Sequence, residues 1–435
     1  MDCTLKSFLL SSLATLSFIS SAFAEVCFEN LSAKLETENI EINDSAGAWC
    51  IQNSTNGRHV DKHESGFPKV EYEYKKSLPH GDWVFYYRNG KKRREVSFLK
   101  GKLTGTSQFY NEKEELIFQV DFNDNKRAGN FKQFYPNGKT AIKGYFSNNN
   151  KTSRWQYFDE AGVLLKDIEY IEGIKNGWSS EWYGAERPKS LGRYFNNVQE
   201  GRWFYWTMQN EFKEAVTYSK GLLHGPYQNF YEGKKPKEEG QYFLGKKEGE
   251  WISFTEEGKK NQSKTYKSGL LHGPFEEWYK NGQRAVLGNY RFNFKQGTWV
   301  TWHSNGQKKH QWSHEAGIHE GRDVWWYESG QKKSVADYLD NKLNGEERKW
   351  DFFGNLTSVI EYEDGKPDGV WIGYHFNTKQ ISEKGFFNHG KATGKWEYFY
   401  SNGKKKSEGF YDAGVPKGEW KHWDEAGYRI ANRKS

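Results

Sequence analysis

The sequence predicts an all-β chain, an elongated single-layer antiparallel β-sheet solenoid of stacked β-hairpin repeats about 24 residues long. Three observations predict it: a composition of rings and turns, a glycine that recurs at a fixed period, and aromatic columns in phase with that glycine. Hydrophobic residues are 35% of the 435, yet aromatics alone are 17%, with 19 Trp, 27 Tyr, 30 Phe and 45 Gly. Aliphatic residues are too scarce for a thick core, and many tight turns must separate short aromatic strands.

The period is read by aligning the chain with itself. Glycine followed two residues later by an aromatic, as in Gly81-Asp82-Trp83, marks a slot that recurs at Gly105, Gly129, Gly177, Gly201, Gly225, Gly249, Gly273, Gly297, Gly321, Gly345 and Gly369. Ser153 fills the vacant place, and one extra residue moves the last anchors to Gly394 and Gly418. Fifteen repeats result, the last one short. With the anchor as position one, position six is always aromatic: Tyr86, Tyr110, Phe134, Phe158, Trp182, Trp206, Phe230, Phe254, Trp278, Trp302, Trp326, Trp350, Tyr374, Phe399 and Trp423. Position eighteen is nearly as strict, from Phe98, Phe122 and Phe146 through Tyr194, Tyr218 and Tyr290 to Phe386 and Tyr411, with His314 the exception. Position six is expected to be buried core, and position seven, which varies among Tyr279, His303, Thr255, Asn111 and Asp351, to be exposed.

Each repeat carries two turn signals. The first is Asn-Gly or Gly near position ten (Asn89-Gly90, Asn137-Gly138, Asn281-Gly282, Asn305-Gly306, Asn402-Gly403), which predicts a two-residue hairpin with positive φ at both places. The second, near position twenty-one, is Gly or Asn, as in Gly101, Asn125 and Gly221, a demand for left-handed backbone. No window keeps a 3.6-residue period clear of glycine, which excludes long helices. Strand parity leaves two alternatives open. Trp83 and Tyr86 fall on opposite faces, so either the strand carries a bulge or aromatics line both faces of the sheet.

The unit Gly81-Asp82-Trp83-Val84-Phe85-Tyr86-Tyr87-Arg88-Asn89-Gly90, and again residues 394–403, resembles the MORN-repeat variant of bacterial exported and antitoxin-class proteins. The resemblance covers residues 81–427. It implies stacked hairpins used for association with proteins or lipid surfaces; it does not imply an enzymatic activity. Ser107, Ser179, Asp323 and Glu347 depart from the pattern at position three, and those repeats are expected to be weaker or bent.

The ends differ from the array. Lys6, an apolar run over residues 8–23 and Ala22-Phe23-Ala24 read as a signal peptide over residues 1–24, leaving Glu25 first in an exported, periplasmic, envelope-associated or secreted protein of bacterial type. Nothing later is long and apolar enough to span a bilayer as a helix. Cys3 leaves with the signal. Cys27 and Cys50 then read as a disulfide within an N-terminal cap over residues 25–56, with two free thiols the alternative. Residues 57–80 read as a degenerate repeat anchored at Gly57, and residues 428–435 as a basic tail.

The search for chemistry finds little that the repeat does not absorb. His80, His224 and His272 share one column before the anchor glycine, while His303, His310, His314 and His319 lie close enough in sequence to suggest a metal, against the simpler reading of edge residues. His59 and His63 add nothing stronger. No acidic pair, nucleophile elbow or phosphate loop stands apart, so no catalytic residue, metal or cofactor is assigned. Two surface features remain. Tyr87, Tyr135, Tyr183, Tyr231, Tyr279, Tyr327 and Tyr400 at position seven are candidates for an open aromatic platform. Lys91, Lys92, Arg93, Lys139, Lys234, Lys259, Lys308, Lys332 and Lys404 follow the first turn and form a candidate basic stripe, or simply a solvated edge. The expected function is a non-enzymatic exported scaffold that meets a protein or an anionic envelope surface (lipid headgroups or polysaccharide), the alternative being a module that binds carbohydrate or envelope polymer. Nucleic acid does not fit an exported chain of net charge +7.

Overall fold

The computed structural model describes residues 26–28, 49–51 and 56–430. The signal segment lies outside them. The first two stretches are strands, Val26–Phe28 and Trp49–Ile51, which pair antiparallel with Cys27 directly opposite Cys50. The chain divides into two units, residues 1–162 and residues 163–435. In each, strands pair antiparallel with their sequence neighbours, two strands to a repeat. A 3-10 turn, Glu232–Lys234, is the one helical element among the described residues. The fold is thus all-β, built of stacked hairpins. Residues 57–75 form a hairpin of the same register, with Tyr72 and Tyr74 buried.

Two irregularities recur in phase with the glycine. Between repeats the register slips: Glu95 pairs with Gln108, then Ser97 with Thr104, so four residues of one strand face two of the other. The anchor glycine sits in this bulge with positive φ (Gly105, +70°). Ser153 keeps the same left-handed backbone at φ +59°, although it carries a Cβ. Within a repeat Phe85 pairs with Arg94 and Tyr86 with Lys92, which leaves Arg93 as the extra residue. Both alternatives left by parity therefore hold: the strand carries a bulge at its anchor glycine, as at residues 81–83 opposite Tyr72, and aromatics line both faces.

The deepest face belongs to position three. Trp83, Phe131, Trp155, Trp203, Trp251, Trp299 and Trp396 are buried, while the position-six rings are only half-buried throughout. The expectation of a position-six core is corrected: those rings lie on the other face, covered by neighbouring side chains such as Lys143 over Phe158 and Lys308 over Trp326. On the deep face an indole can lean on the position-eighteen rings of two repeats. Trp203 lies 5.1 Å from Tyr194 and 6.4 Å from Tyr218, and Trp251 lies 5.0 Å from Tyr242 and 6.4 Å from Tyr266, all edge-on. Such pairs add about 0.5–1.5 kcal/mol each beyond burial.

A glycine column makes room for the indoles. A Cβ on Gly144, Gly192, Gly240, Gly288, Gly385 or Gly409 would lie 2.1–2.4 Å from an indole atom of Trp155, Trp203, Trp251, Trp299, Trp396 or Trp420. The Nε1–H of Trp155, Trp203, Trp251 and Trp396 donates to the backbone carbonyl just beyond that glycine, at 3.1–3.2 Å. One ring thereby packs and hydrogen-bonds two successive repeats together.

Three further expectations change. The first turn is not a two-residue hairpin: Tyr87 and Lys91 close a loop of Arg88, Asn89 and Gly90, and only Gly90 has positive φ. The asparagine is there for its side chain, which accepts from Lys91 N and donates to Glu112 O of the next repeat. The second turn is the two-residue one, with positive φ at both places, as at Lys100 and Gly101. The extra residue after Gly369 is taken up in the His375–Gln380 turn, so Phe387, not Phe386, occupies the position-eighteen column and packs 5.2 Å from Trp396. Phe386 is exposed. Arg429–Ile430, assigned to the tail, pairs with the preceding strand across the Asp424–Gly427 turn.

Candidate functional site

Stacked hairpins leave two rows of turns, and these are the surfaces a partner can reach. At the first-turn edge the position-seven tyrosines are half-buried. Their hydroxyls donate to the position-six carbonyl of the following repeat: Tyr87 to Tyr110 O at 2.8 Å, Tyr135 to Phe158 O at 2.7 Å, Tyr183 to Trp206 O at 3.5 Å, Tyr231 to Phe254 O at 3.1 Å, Tyr279 to Trp302 O at 2.7 Å, Tyr327 to Trp350 O at 2.9 Å and Tyr400 to Trp423 O at 2.9 Å. His303 and His375 fill the same slot, each with Nε2 against the same carbonyl. Cations of the bulge lie over several of these rings, among them Arg93 over Tyr87, Lys333 over Tyr327 and Lys406 over Tyr400. The rings are rungs between repeats, with one face already covered, rather than an open platform.

Much of the basic stripe is also committed. Lys91, Lys139, Lys259 and Lys404 donate Nζ–H to turn carbonyls of the next repeat. Lys92 pairs with Glu95, and Lys308 donates to Gln311. Lys234 and Lys332 are exposed. In the last repeats Lys384, Lys395 and Lys405 converge on Glu397 at 2.7–3.1 Å. Burial pushes that carboxyl up, but the lysine hydrogen bonds outweigh it and hold it at about 2.

The first-turn edge has one apolar opening. Phe352, Phe353 and Phe376 project from two successive turns at 53–64% exposure, with ring centroids 4.0–6.3 Å apart. Phe352 and Phe376, with Tyr327, Trp350 and Asp351, border a groove that Lys333 and Lys349 also line.

The second-turn edge was missed by sequence reasoning. Positions nineteen and twenty-two flank the two-residue turn, and over residues 171–318 they are repeatedly apolar and exposed. Ile171 faces Ile174, Phe195 faces Val198, and Leu222, Phe243, Leu270, Phe294 and Ile318 follow, at 38–59% exposure. The side chains run from repeat to repeat: Val198 reaches Gly221, and Phe294 reaches Gly317. Lys220, Lys246, Lys267 and Arg291 stand exposed along the middle of the row, while Glu172 and Glu315 lie at its ends. Turn tips are normally polar, so a period-24 search restricted to the turn positions would have exposed this row.

The histidines separate in the structure. His224 and His272 pack on Phe243 and Phe292, and His59 stacks on Tyr72. His310 and His319 meet at Asp323, a residue the sequence reading had treated only as a departure from the repeat. Glu363, Asp368 and His389 also bring possible ligand atoms within 4.8 Å of one another, and His389 is already paired to Asp368.

The family model for the MORN repeat variant matches residues 79–100, 127–148, 271–291 and 392–413. Each of these four segments is similar to that repeat. The other repeats share their columns of anchor glycine and rings. No curated protein sequence matches the chain. Among solved structures, the crystal structure of TcdB2-TccC3-Cdc42 aligns at 10% identity and TM-score 0.15 over 83% of this chain and 24% of that one. The Photorhabdus luminescens Tc holotoxin pore aligns at 9% and 0.14 over 83% and 27%. The chain spans about a quarter of the length of these proteins. Among the described residues no helix is long and apolar enough to cross a membrane.

Proposed function

We propose that this MORN-type array is a non-enzymatic, exported scaffold that associates with an anionic envelope surface through its second-turn edge. The observation that carries the reading is the row of exposed apolar side chains over residues 171–318, interleaved with Lys220, Lys246, Lys267 and Arg291. The side chains protrude from turn tips roughly 10 Å apart, two strand spacings per repeat. A comb of this kind suits a fluid interface, which needs no matching pocket. Full burial of one such side chain contributes about 1.5–3 kcal/mol, so partial insertion of several is ample. The four cations supply attraction to anionic headgroups, which salt screens.

The test is sedimentation of the chain from residue 25 onward with vesicles. Binding to phosphatidylglycerol-containing vesicles should exceed binding to phosphatidylcholine alone, and the triple variant F195S/F243S/F294S should lose it with the hairpins intact. Equal binding by that variant would remove the ridge from the interface. A second reading, capture of an anionic polysaccharide, is favoured by the Phe352–Phe376 groove between Lys333 and Lys349. It predicts that K333E/K349E abolishes polysaccharide binding while leaving vesicle binding unchanged.

A further inference from the structure

We propose that His310, His314 and His319 around buried Asp323 form an acid-sensitive seam, which opens the array locally at the Gly297 and Gly321 repeats when the imidazoles gain protons. Position three of the Gly321 repeat should hold a ring and instead holds Asp323, only 5% exposed. His310 Nε2 lies 2.9 Å from both carboxylate oxygens, with its ring stacked between Trp312 at 4.1 Å and Trp325 at 3.7 Å. His319 Nε2 lies 3.2 Å from Asp323 Oδ2, its ring stacked on Tyr338 at 4.0 Å. His314, the one exception in the position-eighteen column, accepts the indole N–H of Trp312 on its Nε2 at 2.8 Å. Indole nitrogen only donates, so that imidazole nitrogen must keep its lone pair. A proton there breaks the bond.

The charges do not balance in acid. Asp323 meets both His310 and His319, and one carboxylate can neutralise only one imidazolium. The other groups facing the cluster are Lys295 from the preceding strand, Glu320 beside Asp323, and Tyr338 with Glu347 beyond it. Lys295 opposes further positive charge. Burial is the largest cause that holds His314 and His319 below the ordinary imidazole range; Lys295 adds to it, and for His319 burial outweighs the upward pull of Asp323. For these two groups the unfolded chain binds more protons than the folded one. Their contribution is therefore present above the unfolded imidazole value near 6.5 and is lost as pH falls below it. In a stacked array each repeat is held by its neighbours alone, so the loss stays local.

Hydrogen exchange of the chain from residue 25 onward, corrected for intrinsic rate, tests this. Between pH 7.5 and 5.5 protection over residues 308–326 should fall several-fold, while residues 199–218 change little. H314F, which restores the column ring, and H319Q, should each remove a large part of that fall. An unchanged segment, or an equal fall along the whole array, overturns the proposal. So does zinc, if one equivalent raises protection at pH 7.5 and a chelator abolishes the pH response, since the cluster is then a metal site. Neither outcome depends on vesicle binding, so failure here leaves the surface reading untouched.

Discussion

The Gly201 and Gly321 repeats stand on the same ladder and differ in what fills one column. In the first, Trp203 lies over Gly192, donates to Arg193 O at 3.1 Å and leans on Tyr194 and Tyr218. In the second, Asp323 takes that place and the residue opposite is not glycine but Trp312. At several joints the column trades volume between repeats, whereas at Tyr72–Trp83 both sides are buried rings. Gly pairs with Trp at six joints, Val96 with Ser107, Ile168 with Ser179, and Trp312 with Asp323. Ser107, Ser179, Asp323 and Glu347 are all buried, so the departures from the pattern are closed joints rather than gaps. The comparison teaches that the conserved quantity is the filled space, and that chemistry enters where the filling is polar.

The largest effect should follow from emptying a filled joint. Trp203→Ala removes a buried ring and leaves Gly192 facing a void, since neither partner can expand. A cost of about 3–5 kcal/mol is expected, as for large aromatic truncations in cores. Hydrogen exchange over residues 190–218 reads it, and residues far along the array should keep their protection. A loss under about 1 kcal/mol, the range of an exposed change, would deny position three its place as the core.

This joint also shows where the sequence was legible and where it was not. The period, the all-β class and the two turns per repeat followed from columns that repeat identically, because every repeat solves the same backbone problem. The burial order did not. Position six is the most uniform column and position three the more varied, yet position three is deeper. Uniformity at position six reflects identical surroundings on the outer face. Variety at position three reflects exchange with position sixteen of the preceding repeat, a correlation between two columns that reading each one alone conceals. The tyrosine hydroxyl rungs were hidden for a related reason: their acceptors are backbone carbonyls, which leave no trace in residue type. The apolar ridge was hidden because it passes between positions nineteen and twenty-two, so neither column reads as apolar alone.

Overfilling the joint should cost less than emptying it and should be reversible by exchange. Gly192→Val places side-chain atoms where the Trp203 indole lies, with even the Cβ only 2.1 Å from the ring, so about 1–3 kcal/mol is expected from strain. Adding Trp203→Ser rebuilds the Val96–Ser107 pairing found at another joint. The double variant should then be less damaged than the sum of the two single ones by about 0.5–3 kcal/mol, the range for residues in contact. Additive losses would mean that the trade of volume is a coincidence of sequence.

The smallest effect separates the outer face from the core at Tyr279. Sequence variety at position seven suggests an exposed, dispensable ring, but the structure gives its hydroxyl a specific task, donation to Trp302 O at 2.7 Å. Tyr279→Phe keeps the ring and deletes only that bond, leaving a half-buried carbonyl short of a partner. The expected loss is about 0.5–1.5 kcal/mol, the net worth of one hydrogen bond. Tyr279→His should recover part of it, because His303 reaches the equivalent carbonyl, Trp326 O, at 3.1 Å one repeat later. The residues that occupy this position are then related by what they can donate, not by exposure. Local exchange rates at Trp302 and His303 in the two variants decide it. If Tyr279→Phe leaves them unchanged and Tyr279→Ala does not, the ring alone matters and position seven differs from position three only in depth.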